Sequence, residues 1–523
     1  MRSGSPVNGA EALLRTLVDS GVDVCFGNPG TSEMHFVAAL DSVPEMRPVL
    51  GLFEGVVTGA ADGYGRMAGR PAATLLHLGP GLANGWANLH NARRARTPLI
   101  NVVGDHATTH KHFDAPLESD LDSLAASVQG WVRRSPTVQA VPQDAAAAVA
   151  AATGPPGRTA TLILPADVSW SDGAVPAPPV QPTARPQVAQ DVIRSAGALL
   201  RSGEPCVLLV GGAATRGPAL DAAAAVAAGT GARLYCETFP ARLERGAGRP
   251  ALDRLSRGEG VAARQLAGAR HLLLVDAGRP VEFFGYPGQS GDLVPDGCEV
   301  HVLAAAGDDV AAALAALAEE VGAPAEPPRA PRVEAGLPTG GLTKQVLAAA
   351  LAALLPEGAV VVDESATTGR DFPAATAGAP PHDWLTLTGG SIGQGLPLAV
   401  GAAVACPDRP VICLQADGSA MYTVSALWTH ARESLDITTV LLNNRSYAIL
   451  EMELARVGAT VVGASARSWL DLSRPDLDFV AIAQGMGVPA ERATTAEELG
   501  AALGRALREP GPHLVEVLLA PSG

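Results

Sequence analysis

Two oxygen-bearing side chains occupy matching places near the C-terminal end of this 523-residue sequence. An apolar stretch at 411–414 runs into Asp417-Gly418-Ser419, and a second, at 438–442, ends in Asn443-Asn444. Both read as strands joined through a helical run. In an open parallel sheet, the C-terminal strand ends are where ligands bind. A carboxylate and an amide oxygen suit a hard cation such as Mg²⁺, usually held by one or two protein groups plus substrate phosphates. Asp417 and Asn444 can hold such an ion, and the small Gly418-Ser419 turn lets main-chain N–H groups approach a phosphate. An ordinary βαβ unit can carry the same Asp-Gly turn, so the rest of the chain decides.

Other residues add proton chemistry. Glu54 stands alone in Leu52-Phe53-Glu54-Gly55-Val56-Val57. An acid so placed is costly without a partner, and its apolar neighbours favour sharing a proton with a ligand. His77 follows a strand in Leu76-His77-Leu78-Gly79-Pro80-Gly81. His106, His110 and His112 cluster after another strand, as a proton relay, an exposed loop or an adventitious metal binder. His35 reads as structural, and His90 as a residue of the helix after Gly85.

These residues need strand ends to stand on. Short β-branched strands alternate with Ala- and Leu-rich helices throughout, which predicts parallel sheets covered on both faces. Strands are expected at 22–26, 73–76, 99–103 and 161–164; at 207–210, 233–236, 272–275 and 299–302; and at 360–363, 411–414, 438–442 and 514–519. Pro-rich stretches at 173–190 and 322–341 read as extended linkers. The expected fold is α/β with three doubly wound parallel-sheet domains, at 1–172, 191–321 and 342–523. At the usual ~150 residues each, the length also suggests about three domains. The N-terminus is expected to be an amphipathic helix with Asn8 as cap and Gly21 as stop, not a signal peptide.

Composition narrows the function classes. A net charge of −15 argues against nucleic acid or an anionic membrane as partner. No apolar run is long enough to span a bilayer. Only two lysines, Lys111 and Lys344, occur among 38 basic residues, which disfavours Schiff-base chemistry. Six scattered cysteines suit a reducing cytoplasm and lack zinc-site spacing. No G-x-G-x-x-G fingerprint supports a nicotinamide dehydrogenase.

Taken in order, Gly27-Asn28-Pro29-Gly30-Thr31, the Glu54 segment with Ala60-Ala61-Asp62-Gly63-Tyr64, the His77 segment, and Asp417-Gly418-Ser419 with Asn443-Asn444 resemble thiamine-diphosphate-dependent enzymes of the pyruvate oxidase, acetolactate synthase and benzoylformate decarboxylase group. Ala416 stands where the family motif has its first glycine. The resemblance implies a pyrimidine-binding, a central and a diphosphate-binding domain. It implies that Glu54 activates the cofactor through the aminopyrimidine N1′, that Ile392 wedges the cofactor into a bent shape, and that main chain at Thr388, Gly389 and Gly390 faces the pyrimidine. It assigns diphosphate contact to Thr367, Gly418, Ser419 and Asn444, and Mg²⁺ ligation to Asp417, Asn444 and Ser446. Glu54 would serve cofactor held by a second subunit, so a homodimer or homotetramer is expected.

The cofactor ylid would attack a 2-oxo acid, and loss of CO₂ would leave an enamine. His77 and Thr31 match residues that handle protons and the substrate carboxylate in benzoylformate decarboxylase, and His110 and His112 lie where simple pyruvate decarboxylases have paired histidines. They favour decarboxylation ended by a proton. The stretch 280–287 lacks the second catalytic histidine of benzoylformate decarboxylase, which leaves the substrate open. The alternative is acetolactate-synthase-like carboligation, favoured by Gly79-Pro80-Gly81. That branch often carries FAD, for which Gly211-Gly212-Ala213 is no sufficient signature. A non-catalytic relative is disfavoured because Glu54, Asp417 and Asn444 are all present.

Overall fold

The computed structural model describes residues 7–258, 260–459 and 463–519; the outermost ends of the first and third expected domains lie outside them. In the first unit, β1 (Val7–Asn8) and β8 (Asp172–Ala174) form an antiparallel ribbon. Between them, β2 (Val24–Gly27), β3 (Arg47–Leu50), β4 (Ala73–His77), β5 (Leu99–Asp105), β6 (Trp131–Arg134) and β7 (Thr159–Pro165) make a parallel sheet ordered β3-β2-β4-β5-β7-β6. All seven residues of β5 and of β7 are buried, which is why these strands read as unbroken apolar runs. Asn8 caps the Gly9–Asp19 helix, its Oδ1 accepting the Glu11 N–H at 2.8 Å, and Gly21 takes a left-handed φ of +87° after it.

The central sheet holds β9 (Cys206–Val210), β10 (Arg233–Cys236), β12 (Asp253–Arg254), β13 (His271–Val275) and β14 (Glu299–Ala304), ordered β12-β10-β9-β13-β14. The third holds β15 (Val360–Glu364), β16 (His382–Thr386), β17 (Val411–Ala416), β18 (Ile437–Asn443), β19 (Ala490–Ala493) and β20 (His513–Leu518). Its edge is β11 (Leu243–Arg245), which runs antiparallel to β16 with Leu243 opposite Trp384. The expected division gave 191–321 wholly to a central domain. The structure instead lends this segment's β11 to the third sheet, where it covers an edge that would otherwise be bare. Strands β3, β6, β12, β16 and β19 carry no clean apolar pattern and were absent from the sequence expectation.

Each sheet has a switch point in its strand order that opens a crevice at the C-terminal ends: between β2 and β4, between β9 and β13, and between β15 and β17. The first and third units pack through the Glu54–Ala68 and Gly395–Ala405 helices. Their backbones nearly touch: a Cβ on Gly63 would lie 2.1 Å from the Leu398 carbonyl oxygen, and one on Gly401 would lie 1.8 Å from that of Ala60. Beside this contact, Arg66 and Asp62 form a fully enclosed ion pair at 2.6 Å. Arg66 also donates to the Thr386 carbonyl and the Thr388 hydroxyl, and Asp62 accepts from Thr97 and from Gln394 Nε2. Among the described residues, no helix is long and apolar enough to cross a membrane.

Removing one partner of such a pair leaves a charge buried alone. Arg66→Ala is expected to cost about 3–5 kcal/mol, read as a lower urea midpoint. Arg70→Ala, which breaks a half-exposed pair with Asp23, should cost at most about 1 kcal/mol.

Candidate active site

The third sheet's C-terminal edge brings Asp417 and Asn444 together. Strands β17 and β18 are neighbours, with Ala416 opposite Leu442, so the residues just beyond them meet. Asp417 is buried; one carboxylate oxygen accepts the Gly418 N–H at 2.8 Å and the other the Arg445 N–H at 2.7 Å. Burial pushes its carboxyl above the usual carboxylate value, against the pull of those N–H groups. Of the two asparagines, Asn443 turns inward and donates to Glu516 at 2.7 Å. Asn444 stays in the turn, its Oδ1 accepting the Ser446 N–H at 3.0 Å. The Ser446 hydroxyl donates to Glu451, and its main-chain carbonyl is a further oxygen that a cation could take. Asp417, Asn444 and that carbonyl are a hard-oxygen set of the kind Mg²⁺ takes, and a cation there would offset the cost of burying Asp417.

Polar groups around this pair are largely spoken for. The Ser419 hydroxyl donates to the Ala416 carbonyl and accepts from Gln415 Nε2 at 2.7 Å. A Cβ on Gly418 would lie 2.5 Å from the Tyr447 ring, so only glycine admits this tyrosine. Glu364, at the end of β15, accepts from the N–H groups of Gly393 and Gly395 at 2.7 and 2.6 Å, capping the Gly395–Ala405 helix. Thr367 is buried beyond β15, after Ala366 with its left-handed φ of +51°.

The segment 388–393 links this sheet to the first unit. The Thr388 hydroxyl donates to the Asn91 carbonyl at 2.8 Å. The Asn91 side chain pairs with both main-chain groups of Ser391, and His90 Nε2 lies 3.1 Å from the Gly389 carbonyl oxygen. Gly390 has φ +73°, and a Cβ there would lie 2.5 Å from Phe283 of the central unit. Ile392 is partly exposed at the end of this pinned loop.

At the first sheet's edge, Glu54 begins a helix rather than ending a strand. It is 8 % exposed, and Asn84 donates to its Oε2 at 3.0 Å. A Cβ on Gly81 would lie 3.3 Å from Glu54 Oε1 and 3.4 Å from His77 Cβ, so the acid and the imidazole flank one glycine. His77 ends β4 at the crevice, where Leu78 takes a left-handed φ of +51°. Such a conformation in a non-glycine residue stores strain, as is found at functional sites. His77 Nδ1 lies 2.9 Å from Glu33 Oε2 and 3.1 Å from Ser32 Oγ. Sequence reasoning missed both partners. Glu33 is buried and accepts the Gly30 N–H at 2.7 Å; its spacing from Gly30 is the capping signal that pointed to it.

Thr31 is exposed and does not bond His77. It lines a cleft of about 430 Å³ with Ser32, Leu78, His106, His110 and Trp170. The His110 ring lies 5.6 Å from the His106 ring, while the His112 ring lies tilted 3.8 Å from that of Phe113 and does not line that cleft. Lys111 anchors the loop by bonding Asp105 and Glu118. His35 is exposed beside Trp170.

The central crevice is filled by protein. Asp276, left-handed at φ +52°, accepts the Ala213 N–H at 2.8 Å and pairs with Arg96 of the first unit. Glu237 accepts the Gly278 N–H beside it. Residues 280–287, which lack a histidine, carry instead Tyr286, bonded to Glu453 and lying 3.5 Å from the Arg456 guanidinium.

Comparison with known proteins accounts for this geometry. Residues 7–126 match the N-terminal TPP-binding domain of thiamine pyrophosphate enzymes, and residues 367–517 match the C-terminal TPP-binding domain. A Mycobacterium tuberculosis protein carrying the provisional name acetolactate synthase large subunit IlvX is 62 % identical over 98 % of this chain and 99 % of its own length. Benzoylformate decarboxylase of Pseudomonas aeruginosa is 34 % identical over 95 % of this chain and 96 % of its own. The structure of a thiamine-diphosphate-dependent 4-hydroxybenzoylformate decarboxylase from Rhodococcus jostii RHA1 superposes with a TM-score of 0.85 at 27 % identity, covering 98 % of this chain and 99 % of that one. The two matched domains, the relatives that span nearly the whole chain, and the crevices described above agree: this chain belongs to the thiamine-pyrophosphate-dependent enzyme family.

Proposed function

We propose that the chain, with thiamine diphosphate and Mg²⁺ bound, decarboxylates a 2-oxo acid and puts a proton where the carboxylate was, releasing an aldehyde and CO₂. In that reaction the C1–C2 bond breaks, CO₂ leaves, the electron pair stays at C2, and a proton arrives there. The cofactor supplies the electron sink for that pair. Glu54 would hold the proton at the aminopyrimidine N1′. Asp417, Asn444 and the Ser446 carbonyl would hold Mg²⁺ against the diphosphate, with Gly418, Ser419 and Thr367 close by. Main chain at Thr388, Gly389 and Gly390 would face the pyrimidine above Ile392.

The observation that carries the proton-terminated reading is the Ser32–His77–Glu33 array flanking Gly81 beside Glu54. Glu33 fixes Nδ1, which leaves His77 Nε2 to move a proton. Thr31 would meet the substrate carboxylate, and His110 would face the cleft; His112 has no such place. The benzoylformate and 4-hydroxybenzoylformate decarboxylases among the relatives support the same reading. The Asp276–Arg96 pair in the central crevice speaks against FAD there. The provisional name of the 62 % identical relative favours the second reading, in which a second 2-oxo acid or aldehyde takes the proton's place.

Exposed apolar residues lie beside both half-sites: Leu52 and Trp86 near Glu54, Met421 and Tyr422 next to Ser419. They support a second copy covering each half-site, as homodimer or homotetramer. The six free cysteines suit a reducing compartment such as the cytoplasm.

Three results are expected. Glu54→Gln retains cofactor by calorimetry but loses about 10²–10⁴-fold in kcat; near-normal turnover would remove its role. Asp417→Ala loses Mg²⁺-dependent cofactor retention, yet mixing it with Glu54→Gln under exchange restores roughly a quarter of wild-type activity if sites are shared between subunits. A panel of 2-oxo acids yields CO₂ and the matching aldehyde; acetolactate from pyruvate as main product would favour the second reading.

A further inference from the structure

At the opposite, N-terminal edge of the central sheet lies a cluster that the reaction above does not use. β13 and β14 are adjacent and parallel, with His271 opposite Glu299 and Leu273 opposite His301. Side chains alternate along a strand, so His271, Glu299 and His301 share one face. His271 Nδ1 lies 3.3 Å from His301 Nε2, and Glu299 Oε2 lies 3.7 Å from the first and 3.6 Å from the second. All three donor atoms fall within 4.8 Å of one another.

We propose that His271, His301 and Glu299 form a binding site for a borderline transition-metal ion of the Zn²⁺ class, with water in the remaining position. The spacing fits: a tetrahedral ion with Zn–N bonds of about 2.0–2.1 Å requires donors about 3.3–3.4 Å apart. Two imidazoles and one carboxylate select Zn²⁺, Ni²⁺ or Cu²⁺ over Mg²⁺. The outer contact fits as well. His271 Nε2 lies 2.8 Å from Glu204 Oε2. Metal-bound histidines almost always donate their far N–H to such a carboxylate, which fixes the tautomer and aims the other nitrogen's lone pair at the ion. Glu299 is exposed and His301 partly so, which gives the ion a way in.

Without an ion, the cluster is held by the His271–His301 and His271–Glu204 hydrogen bonds alone. The two states separate by titrating metal-stripped full-length protein with Co²⁺, a coloured stand-in for Zn²⁺, in excess Mg²⁺ to hold the hard-oxygen site at Asp417. The expected result is one Co²⁺ per chain, with the strong visible bands of low-coordinate cobalt. His301→Gln should abolish those bands. Glu204→Gln, which leaves every ligand in place, should weaken binding by about 10–100-fold. Both replaced residues reach the surface, and melting each variant in chelator checks that it folds. Zn²⁺ should then raise Tm for the wild type and not for His301→Gln. Absent Co²⁺ bands, or bands of equal strength and affinity in His301→Gln, would overturn the site.

Discussion

Arg66 and Asp62 carry a constraint on which the rest of the assembly depends. Both are enclosed where the first and third units meet, and an unpaired charge there would be very costly. Their remaining polar atoms reach Thr97, Thr386, Thr388 and Gln394. The Glu54 helix and the 388–394 loop therefore have one relative placement that satisfies every group, and small shifts leave a donor or acceptor bare. The glycine contact at Gly63 and Gly401 removes the side-chain cushion that would let the two helices slide. Glu54 thus inherits its position from a network two turns further along its own helix.

The three crevices show one topology turned to different uses. In the first, strain at Leu78 and the Glu33 carboxylate hold His77 at the rim. In the third, Asp417 accepts burial in exchange for main-chain N–H groups and an oxygen-rich neighbour. In the central one, Asp276 and Arg96 pair at the edge where other doubly wound sheets bind ligands. The middle unit has become a buttress: Phe283 lies over Gly390, and Tyr286 ties it to Glu453 and Arg456.

Much of this was legible in the sequence because strands buried on both faces announce themselves as apolar runs. β5, β7, β9, β13, β17 and β18 were all anticipated for that reason. Strands such as Trp131–Arg134 and His382–Thr386 were not, since tertiary neighbours rather than pattern make them extended. The candidate site was legible wherever chemistry calls for a particular residue type, as at Glu54, His77, Asp417 and Asn444. Glu33, Ser32 and Asn84 escaped notice because their roles exist only through contacts across the fold.

The strand Leu243–Arg245 binds the fate of the middle unit to that of the third. If residues 191–321 were excised, the His382–Thr386 strand would lose its outer neighbour and present a row of unsatisfied backbone donors and acceptors. Such a row templates sticking between molecules. The middle unit therefore cannot be removed without also re-sealing the flank of the sheet that carries Asp417.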